Sequence, residues 1–302
     1  MLATIIAETL PPQRVWTALT CSPMFTVLDS AYQLHYYLGF RTYFRKPLFP
    51  TNKEHDLIKI VLDDVCRREK YHLLDTSIEK DHLRLLLSLK PDQRVSRAIQ
   101  MLKGNISREY GLTCNEQLAL HRASRLWAKG YFAQSSGKVN LEAARRYVEG
   151  QASHHGYQGD WSKELTFRNQ AFVSPAFDIS HSLAILNYHL VLVTHRRMPI
   201  FDEAIAPKFF EYVMTIGEKH QFVVDRLTLL PDHLHLLIEA IPNVSVEECV
   251  LAIMNNTQQW MMKRYIGVLK VTEGWNVWQP SFYAGTVGDH TTAQVKRFLG
   301  IN

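Results

Sequence analysis

Hydrophobic residues recur along the chain in two similar series of strand-like and helix-like patterns. Each series opens with an apolar run that contains a histidine, near His35 in the first and near His189 in the second. A turn with Pro, an aliphatic residue and Phe follows, and then a segment with helical spacing. Two β-rich runs around a tight turn, a second helix, a segment with Trp, other aromatic residues and Gly, and a last helix complete each series. This order predicts an α+β fold in which helices cover one face of an antiparallel sheet.

The second series repeats the first at a nearly constant spacing. Residues Asp81 to Leu87 align with residues Asp232 to Ile238, which lie 151 positions later. Two further pairs of segments match in the same order, with the spacing of the first of these pairs one residue longer. They are Pro47–Phe49 with Pro199–Phe201, and Leu126–Gly137 with Val277–Gly288. Such ordered matches indicate an internal duplication.

A duplicated domain also fits the length of 302 residues, which is about twice the usual domain size. We predict one domain at residues 1–151, a linker at 152–180 that is rich in Ser, His, Gly and Gln, and a second domain at 181–302. The hydrophobic content of 46% and the charged content of 21% allow each half to bury a core. The chain is therefore expected to be globular.

Net charge and cysteine content exclude few classes of protein. A net charge of +5 permits a polyanionic partner but is also common among ordinary enzymes. The four cysteines show no paired spacing, which fits a reducing cytoplasm. Since no leader-like start and no run of about 20 apolar residues occurs, we expect a cytoplasmic protein without membrane segments.

His233 and His235 form the most specific chemical pattern in the chain. Alternate residues of a strand share one face, so both imidazoles can reach one divalent cation. A His-x-His pair alone is equally typical of packing or surface histidines. Here it lies within Leu230–Ile238, a histidine-hydrophobic-histidine (HUH) motif that resembles the TnpA transposases of the smallest bacterial insertion sequences and their REP-associated relatives.

The resemblance extends over both halves. Asn187–Phe201 is similar to the opening strand and turn of that family, and Trp278–Gly288 to the segment before its catalytic helix. The chain thus resembles a tandem fusion of two single-tyrosine HUH domains, which implies two ferredoxin-like or RRM-like folds in an intramolecular pseudo-dimer. The resemblance further implies a tyrosine nucleophile that forms a 5′-phosphotyrosine, one Mg²⁺ or Mn²⁺ held by the histidine pair and by a Gln four residues after the tyrosine, and single-stranded DNA with hairpin ends as partner.

The first half retains only the tyrosine part of that site. Its last helix carries Tyr147 and Gln151, but its motif reads His82-Leu83-Arg84. A guanidinium offers no lone pair to a metal, and its charge repels one. This position is therefore predicted to be a degenerate site.

The second half shows the complementary loss. Phe298 and Asn302 stand where the first half has its Tyr and Gln, and phenylalanine lacks the attacking oxygen. The family can assemble its sites in trans within a dimer, so the resemblance implies that the first-half tyrosine helix meets the second-half histidines. We expect a monomer that works as an internal pseudo-dimer with one active centre. Two alternatives stay open: Tyr147 as an ordinary surface tyrosine, and Phe298 as an introduced substitution.

Cations after the first motif predict uneven contacts with DNA phosphates. The equivalent stretch of the second half is neutral until Lys263 and Arg264, and a solvated basic helix face is the simpler alternative. We expect His189 near the metal pocket, and His154 and His155 on the surface or in the linker. The first-half cations are Arg94, Arg97, Lys103 and Arg108.

Three functions remain compatible with the sequence. The first is a transposase that nicks and rejoins single-stranded DNA beside a hairpin. The second is a domesticated, catalytically silent protein that binds DNA or RNA hairpins, which is expected if Tyr147 cannot reach the histidines of the second half. The third is a metal-dependent hydrolase in which water attacks. The distance from the Tyr147 hydroxyl to the pocket of His233 and His235 separates the first function from the second.

Overall fold

The computed structural model describes residues 24–156, 165–172, 177–179, 182–265 and 276–298. Asn302 and the side chain of Phe298 lie outside the described part of the chain. Within it, the chain forms two six-stranded sheets with helices packed on them. None of the described helices is both long and apolar enough to cross a membrane.

The elements follow the order that the hydrophobic pattern predicts. The first half contains β1 (Asp29–Gln33), β2 (His35–Arg41), α1 (Asn52–Glu69), β3 (His72–Glu79), β4 (His82–Ser88), α2 (Val95–Thr113), α3 (Asn115–Leu120), β5 (Phe132–Ser136) and α4 (Leu141–His154). Two short strands follow in the segment expected to be a linker, β6 (Thr166–Arg168) and β7 (Phe177–Ile179). The second half contains β8 (Ser182–Ile185), β9 (Asn187–Thr194), α5 (Ala206–His220), β10 (Phe222–Leu230), β11 (His233–Ala240), α6 (Val246–Arg264), β12 (Trp278–Val287) and α7 (Thr292–Phe298).

Each half contains one β-α-β-β-α-β unit. Its four strands are antiparallel and lie in the order β5-β2-β4-β3 in the first half and β12-β9-β11-β10 in the second. This is the ferredoxin-like arrangement. The predicted α+β class with two similar domains is confirmed.

The two halves exchange edge strands, which the sequence pattern did not predict. β1 pairs in parallel with β12 of the second half, with Asp29 opposite Ser281. In the same way β8 pairs in parallel with β5 of the first half, with Leu183 opposite Phe132. The sheets are therefore mixed rather than purely antiparallel. β6 and β7 extend the two sheets further, so the expected linker contributes structure to both.

Two glycines permit a close crossing between the halves. An added Cβ at Gly137 would stand 1.9 Å from the carbonyl oxygen of Thr286, and one at Gly288 would stand 2.0 Å from that of Ser135. Past the crossing, the backbone N–H of Leu141 donates to the Gly288 carbonyl at 2.9 Å. As a result α4 leaves its own half and packs on β10 and β11 of the other.

Helix ends and core packing follow ordinary rules. Thr51 with Glu54 and Ser245 with Glu248 form capping boxes that satisfy the first amides of α1 and α6. The apolar faces of α1 and α2 pack together, as do those of α5 and α6. One hydrophobic cluster spans both halves, and the rings of Tyr36 and Tyr188 meet edge to face within it at 6.4 Å.

The second-half sheet has helices on both faces, in contrast to the single covered face that was expected. Leu234, Leu236 and Ile238 point into the large core beneath α5 and α6. Leu237, on the opposite face of β11, packs with Ala144 and Val148 of α4. The second layer arises because α4 crosses over from the first half.

Candidate active site

β11 presents His233 and His235 on the face of the sheet that α4 covers. The strand lies between β9 and β10, so its backbone is held on both sides. The two side chains are 7% and 6% exposed, and their ring centroids lie 5.2 Å apart. The predicted strand geometry thus places both imidazoles beside each other in a mostly buried position.

Asp232 orients the first of these rings. Its Oδ1 lies 2.5 Å from Nδ1 of His233, and its other oxygen accepts from Arg197 at 3.3 Å. Burial opposes ionisation of this carboxyl, but the His233 hydrogen bond and the Arg197 guanidinium together hold the pKa of Asp232 below its ordinary value. The carboxylate therefore keeps the proton of His233 on Nδ1 and leaves Nε2 available as a ligand atom.

His189 of β9 orients the second ring. Its Nε2 lies 3.1 Å from Nδ1 of His235, and the two rings stack with their centroids 5.3 Å apart. Burial lowers the pKa of His189 to about 4. Burial, followed by the neighbouring histidines, lowers the pKa of His235 to about 3. Both imidazoles are therefore neutral at pH 7, which is the form that binds metals.

Ion pairs and a hydrogen bond fix α4 on this sheet. Arg145 donates to the buried carboxylate of Asp225 at 2.7 Å, and Arg226 donates to Glu149 at 2.6 Å. Between them, the hydroxyl of Thr228 donates to the Val148 carbonyl at 2.7 Å. These contacts set the rotation of the helix, and so the face that it turns towards the histidines.

That face carries Tyr147. Its ring centroid lies 5.7 Å from those of His189 and His235, and its side chain is 53% exposed. Gln151 follows one turn later, is 3% exposed and donates its amide to the Tyr147 carbonyl at 3.1 Å. The structure thus brings the first-half tyrosine helix next to the second-half histidines.

A cavity of about 540 Å³ opens beside these side chains. Tyr147, His189 and His235 line it together with Lys138 and Tyr283, which were not among the predicted site residues. The ring of Tyr283 lies 6.0 Å from that of His189. The pocket therefore holds a second tyrosine besides the one on α4.

The corresponding position of the first half has different chemistry. His82 again hydrogen-bonds the preceding aspartate, Asp81, at 2.6 Å, but its Nε2 lies 2.8 Å from Glu79. The same carboxylate accepts from Arg84 at 2.7 Å. An ion pair therefore fills the space that neutral imidazoles occupy in the second half.

Comparison with known proteins identifies the family. The sequence profile described as "Transposase IS200 like" matches residues 30–151 and again residues 182–300, which together make up most of the chain. The chain belongs to the IS200-like transposase family. The resemblance inferred from the motifs is confirmed.

Individual relatives of this transposase match single stretches of it. The ISDra2 transposase TnpA of Deinococcus radiodurans is 26% identical over 114 residues, which cover 38% of this chain and 81% of that protein. A solved structure of a Deinococcus radiodurans protein assigned as a transposase is 19% identical, covers 43% of this chain and 95% of its own, and has a TM-score of 0.32. A REP-associated tyrosine transposase bound to a REP hairpin is 12% identical, covers 46% and 76%, and has a TM-score of 0.28.

The residues of this site fit a divalent cation in type, although the protein set of ligands is small. Among the described residues, no three His, Cys, Asp or Glu side chains converge to hold a metal ion. A cation bound here would therefore have few protein ligands and would keep coordination positions for phosphate or water oxygens. Open positions of this kind are typical of catalytic rather than structural metal sites.

Several cations expected at DNA have partners within the protein. Arg94, at the start of α2, forms an ion pair with Glu248 of the second half. Lys103 donates to the carbonyls of Ala128 and Gly130 at 3.2 and 2.6 Å, and burial lowers its pKa to about 8. Both side chains thus have partners within the chain, and their contact with DNA phosphates stays a prediction.

The other predicted cations lie on exposed surface. Arg97 donates to Gln100 at 3.1 Å, and Arg108 pairs with its neighbour Glu109 at 2.8 Å. Lys263 is exposed, and the Arg264 guanidinium lies over the Trp260 ring at 5.7 Å. The positions of these four cations neither support nor contradict the predicted contacts with DNA phosphates.

His155 contacts the site although it was expected to be a surface or linker residue. It is exposed, but its ring centroid lies 5.2 Å from that of His233. It follows Tyr147 by eight residues, close to two helical turns, which places it on the same side of the chain as the tyrosine. This spacing was the available signal in the sequence.

Proposed function

We propose that the chain cleaves and rejoins single-stranded DNA at one composite site, with Tyr147 as the nucleophile. The observation that carries the proposal is the placement of the Tyr147 ring 5.7 Å from that of His235, across the boundary between the halves. The tyrosine is half-exposed, so a phosphodiester can approach it from the cavity. The buried network beneath α4 keeps it in position.

In the proposed reaction the phenol oxygen of Tyr147 attacks the phosphorus, and the bond from phosphorus to the 3′ oxygen breaks. The phenol loses its proton and the departing 3′ oxygen gains one, which leaves a 5′-phosphotyrosine and a free 3′-OH. Attack of a 3′-OH on the phosphotyrosine reverses these bond changes and joins the strands. No oxidant, reductant or nucleotide cofactor is needed.

We assign His233, His235 and Gln151 as the residues that would hold Mg²⁺ or Mn²⁺. Imidazole nitrogens favour the softer Mn²⁺ within this pair. A bound cation would stabilise the charge that develops on the phosphoryl oxygens. Asp232 and His189 act on the ring orientation of the two histidines, as partners of metal ligands commonly do.

The substrate implied by the family is single-stranded DNA next to a hairpin, and the chain would process it as a monomer. The exchanged strands and the crossing at Gly137 and Gly288 join the halves as a dimer interface would. A silent hairpin-binding protein is the alternative. Its sequence rationale was a tyrosine remote from the histidines, so the position of Tyr147 favours cleavage.

Trapping of a covalent adduct tests this function. The protein is incubated with single-stranded oligonucleotides that contain a hairpin, in Mg²⁺ or Mn²⁺, and the adduct is mapped by mass spectrometry. We expect it on Tyr147, and we expect Tyr147→Phe to abolish it. Tyr283→Phe is the matched control because it removes the other tyrosine of the cavity and should still form the adduct. Phosphotyrosine at Tyr283, or cleavage without any adduct, would refute the assignment.

A further inference from the structure

A second cavity, of about 420 Å³, opens at the first-half position that corresponds to the candidate active site. Four cationic side chains line it, and their residues come from β2, from the turn after it, from β4 and from the loop before β5. They are Arg41, Arg45, Arg84 and Lys129. The degenerate HUH position has therefore kept an accessible pocket.

Besides Arg84, which stands in the place of His235, two of these cations are additions relative to the second half. Arg41 stands opposite His82 on the neighbouring strand, as Val193 stands opposite His233. Lys129 aligns with Pro280 in the repeat. Both second-half residues are uncharged, so the loss of the metal-binding histidine accompanies a gain of positive charge.

The acidic residues around the cavity are already matched with cations. Glu79 accepts from Arg84 at 2.7 Å, and Asp81 accepts from Arg45 at 2.9 Å. Within the described part of the chain, Arg41 and Lys129 form no ion pair with either carboxylate, and both are exposed. The two carboxylates thus offset Arg84 and Arg45, and the positive charges of Arg41 and Lys129 remain at the cavity.

Aromatic rings accompany the cations. Tyr37 and Phe132 meet edge to face at 5.8 Å on one side of the cavity. The turn that carries Arg45 also exposes 77% of Phe44 next to Tyr43, and these two rings line a neighbouring cavity that shares Arg41, Arg45 and Lys129. Paired cations and accessible rings are the combination that holds single-stranded nucleic acid without regard to its sequence.

We propose that this cavity is a metal-independent binding site for single-stranded DNA, in which Arg41 and Lys129 contact backbone phosphates. The choice of DNA as the polyanion rests on the proposed function. The volume falls in the range of about 300–1,000 Å³ typical of small-ligand pockets, which suits one nucleotide unit rather than a duplex. Arg84, which is paired with Glu79, lines the pocket at the position that His235 has in the second half.

The test measures binding without cleavage. Fluorescence anisotropy with a fluorescein-labelled oligothymidine is carried out in EDTA on the Tyr147→Phe protein, with and without Arg41→Ala and Lys129→Ala. We expect affinity to fall about tenfold, and the slope of log K against log salt to become shallower by about 1.4, which corresponds to two lost phosphate contacts on a single strand.

Two further proteins make this result specific. Lys59→Ala with Lys208→Ala removes the same charge from exposed helix positions outside the cavity and should leave the slope unchanged. Arg41→Lys with Lys129→Arg should restore the slope, which excludes a folding defect as the cause. A slope for the first double variant equal to that of the control pair would overturn the proposal. Because neither the nucleophile nor a metal takes part, this outcome is independent of the adduct experiment.

Discussion

At the position where the second half stacks neutral His235 on His189, the first half pairs Arg84 with Glu79. The two positions occupy equivalent strands of one fold, and each histidine motif follows an aspartate that contacts the first histidine. The difference thus lies in charge rather than in backbone geometry. The two halves of a duplicated chain can thus differ in the charge of one site while the strands and a pocket remain in both.

The last helices of the two halves, α4 and α7, also differ in the contacts that attach them to a sheet. α4 is fixed to the second-half sheet by charged contacts, one of which joins Arg145 to the buried Asp225. α7 packs on the first-half sheet, where Val295 contacts Leu86 and Leu74. Leu74 takes the place of Asp225 in the repeat, so the first-half sheet has no carboxylate at the position that anchors Arg145 of α4.

The largest effect on adduct formation is expected for His235→Arg, which gives the second half the residue that the first half has at Arg84. His235→Arg should reduce adduct formation by about 1,000-fold or more, because several kcal/mol of charge stabilisation are lost with the metal. Arg84→Ala should still form the adduct at saturating DNA. The rates are measured with one hairpin oligonucleotide under single-turnover conditions. Equal losses in both variants would show that the halves do not differ in the way described.

A smaller but still large effect is expected where the halves cross. Gly137→Ala places a Cβ 1.9 Å from the Thr286 carbonyl oxygen, so backbone must move and stability should fall by about 3 kcal/mol or more. Gly104→Ala is the matched control, since nothing lies within 4 Å of its added Cβ and helix propensity should raise stability by about 0.5–1 kcal/mol. Urea unfolding measures both. A small loss of stability in Gly137→Ala would mean that the two backbones lie farther apart at the crossing than they do in the structure.

The repeat and the motifs were sufficient to predict the domain class and the family. They also nominated the residues that the structure brings together, because Tyr147 and His233 belong to motifs whose spacing is local. The strand exchange could not be predicted in this way. β1 and β8 are four or five residues long, and nothing in such a segment specifies a partner about 250 residues away for β1 or about 50 residues away for β8.

The roles of individual side chains were hardest to predict where contacts with residues distant in the sequence decide them. Lys103 has the charge of a phosphate anchor, but the carbonyls of Ala128 and Gly130 that hold it are backbone atoms with no signature in the sequence. Glu79 was equally hidden, since its importance depends on Arg84 across the strand pair. Contacts of this kind are set by the tertiary fold, so they can be identified only in a structure.

The smallest predicted effect concerns acid stability, which should distinguish the halves without any substrate. In the metal-free protein the pKa of His189 is lowered to about 4 and that of His235 to about 3, whereas both return to about 6.5 on unfolding. The unfolded chain therefore binds more protons below pH 6.5, and stability is complete above that value and lost as the pH falls towards 4. Each histidine contributes up to about 1.4 kcal/mol per pH unit in this window.

His189→Tyr, which copies Tyr37 of the first half, removes one of these two titrating groups. Urea unfolding in EDTA between pH 7 and pH 5 should therefore show a shallower loss of stability in this variant than in the unchanged protein. His72→Tyr is the matched control, because that histidine is exposed and the slope should stay as it is. The carboxylates of Asp81 and Asp232 titrate below this window, because their pKa values are lowered. An identical slope in the His189 variant would mean that acid lability does not originate in the buried histidine pair, and the electrostatic contrast between the two sites would then need another explanation.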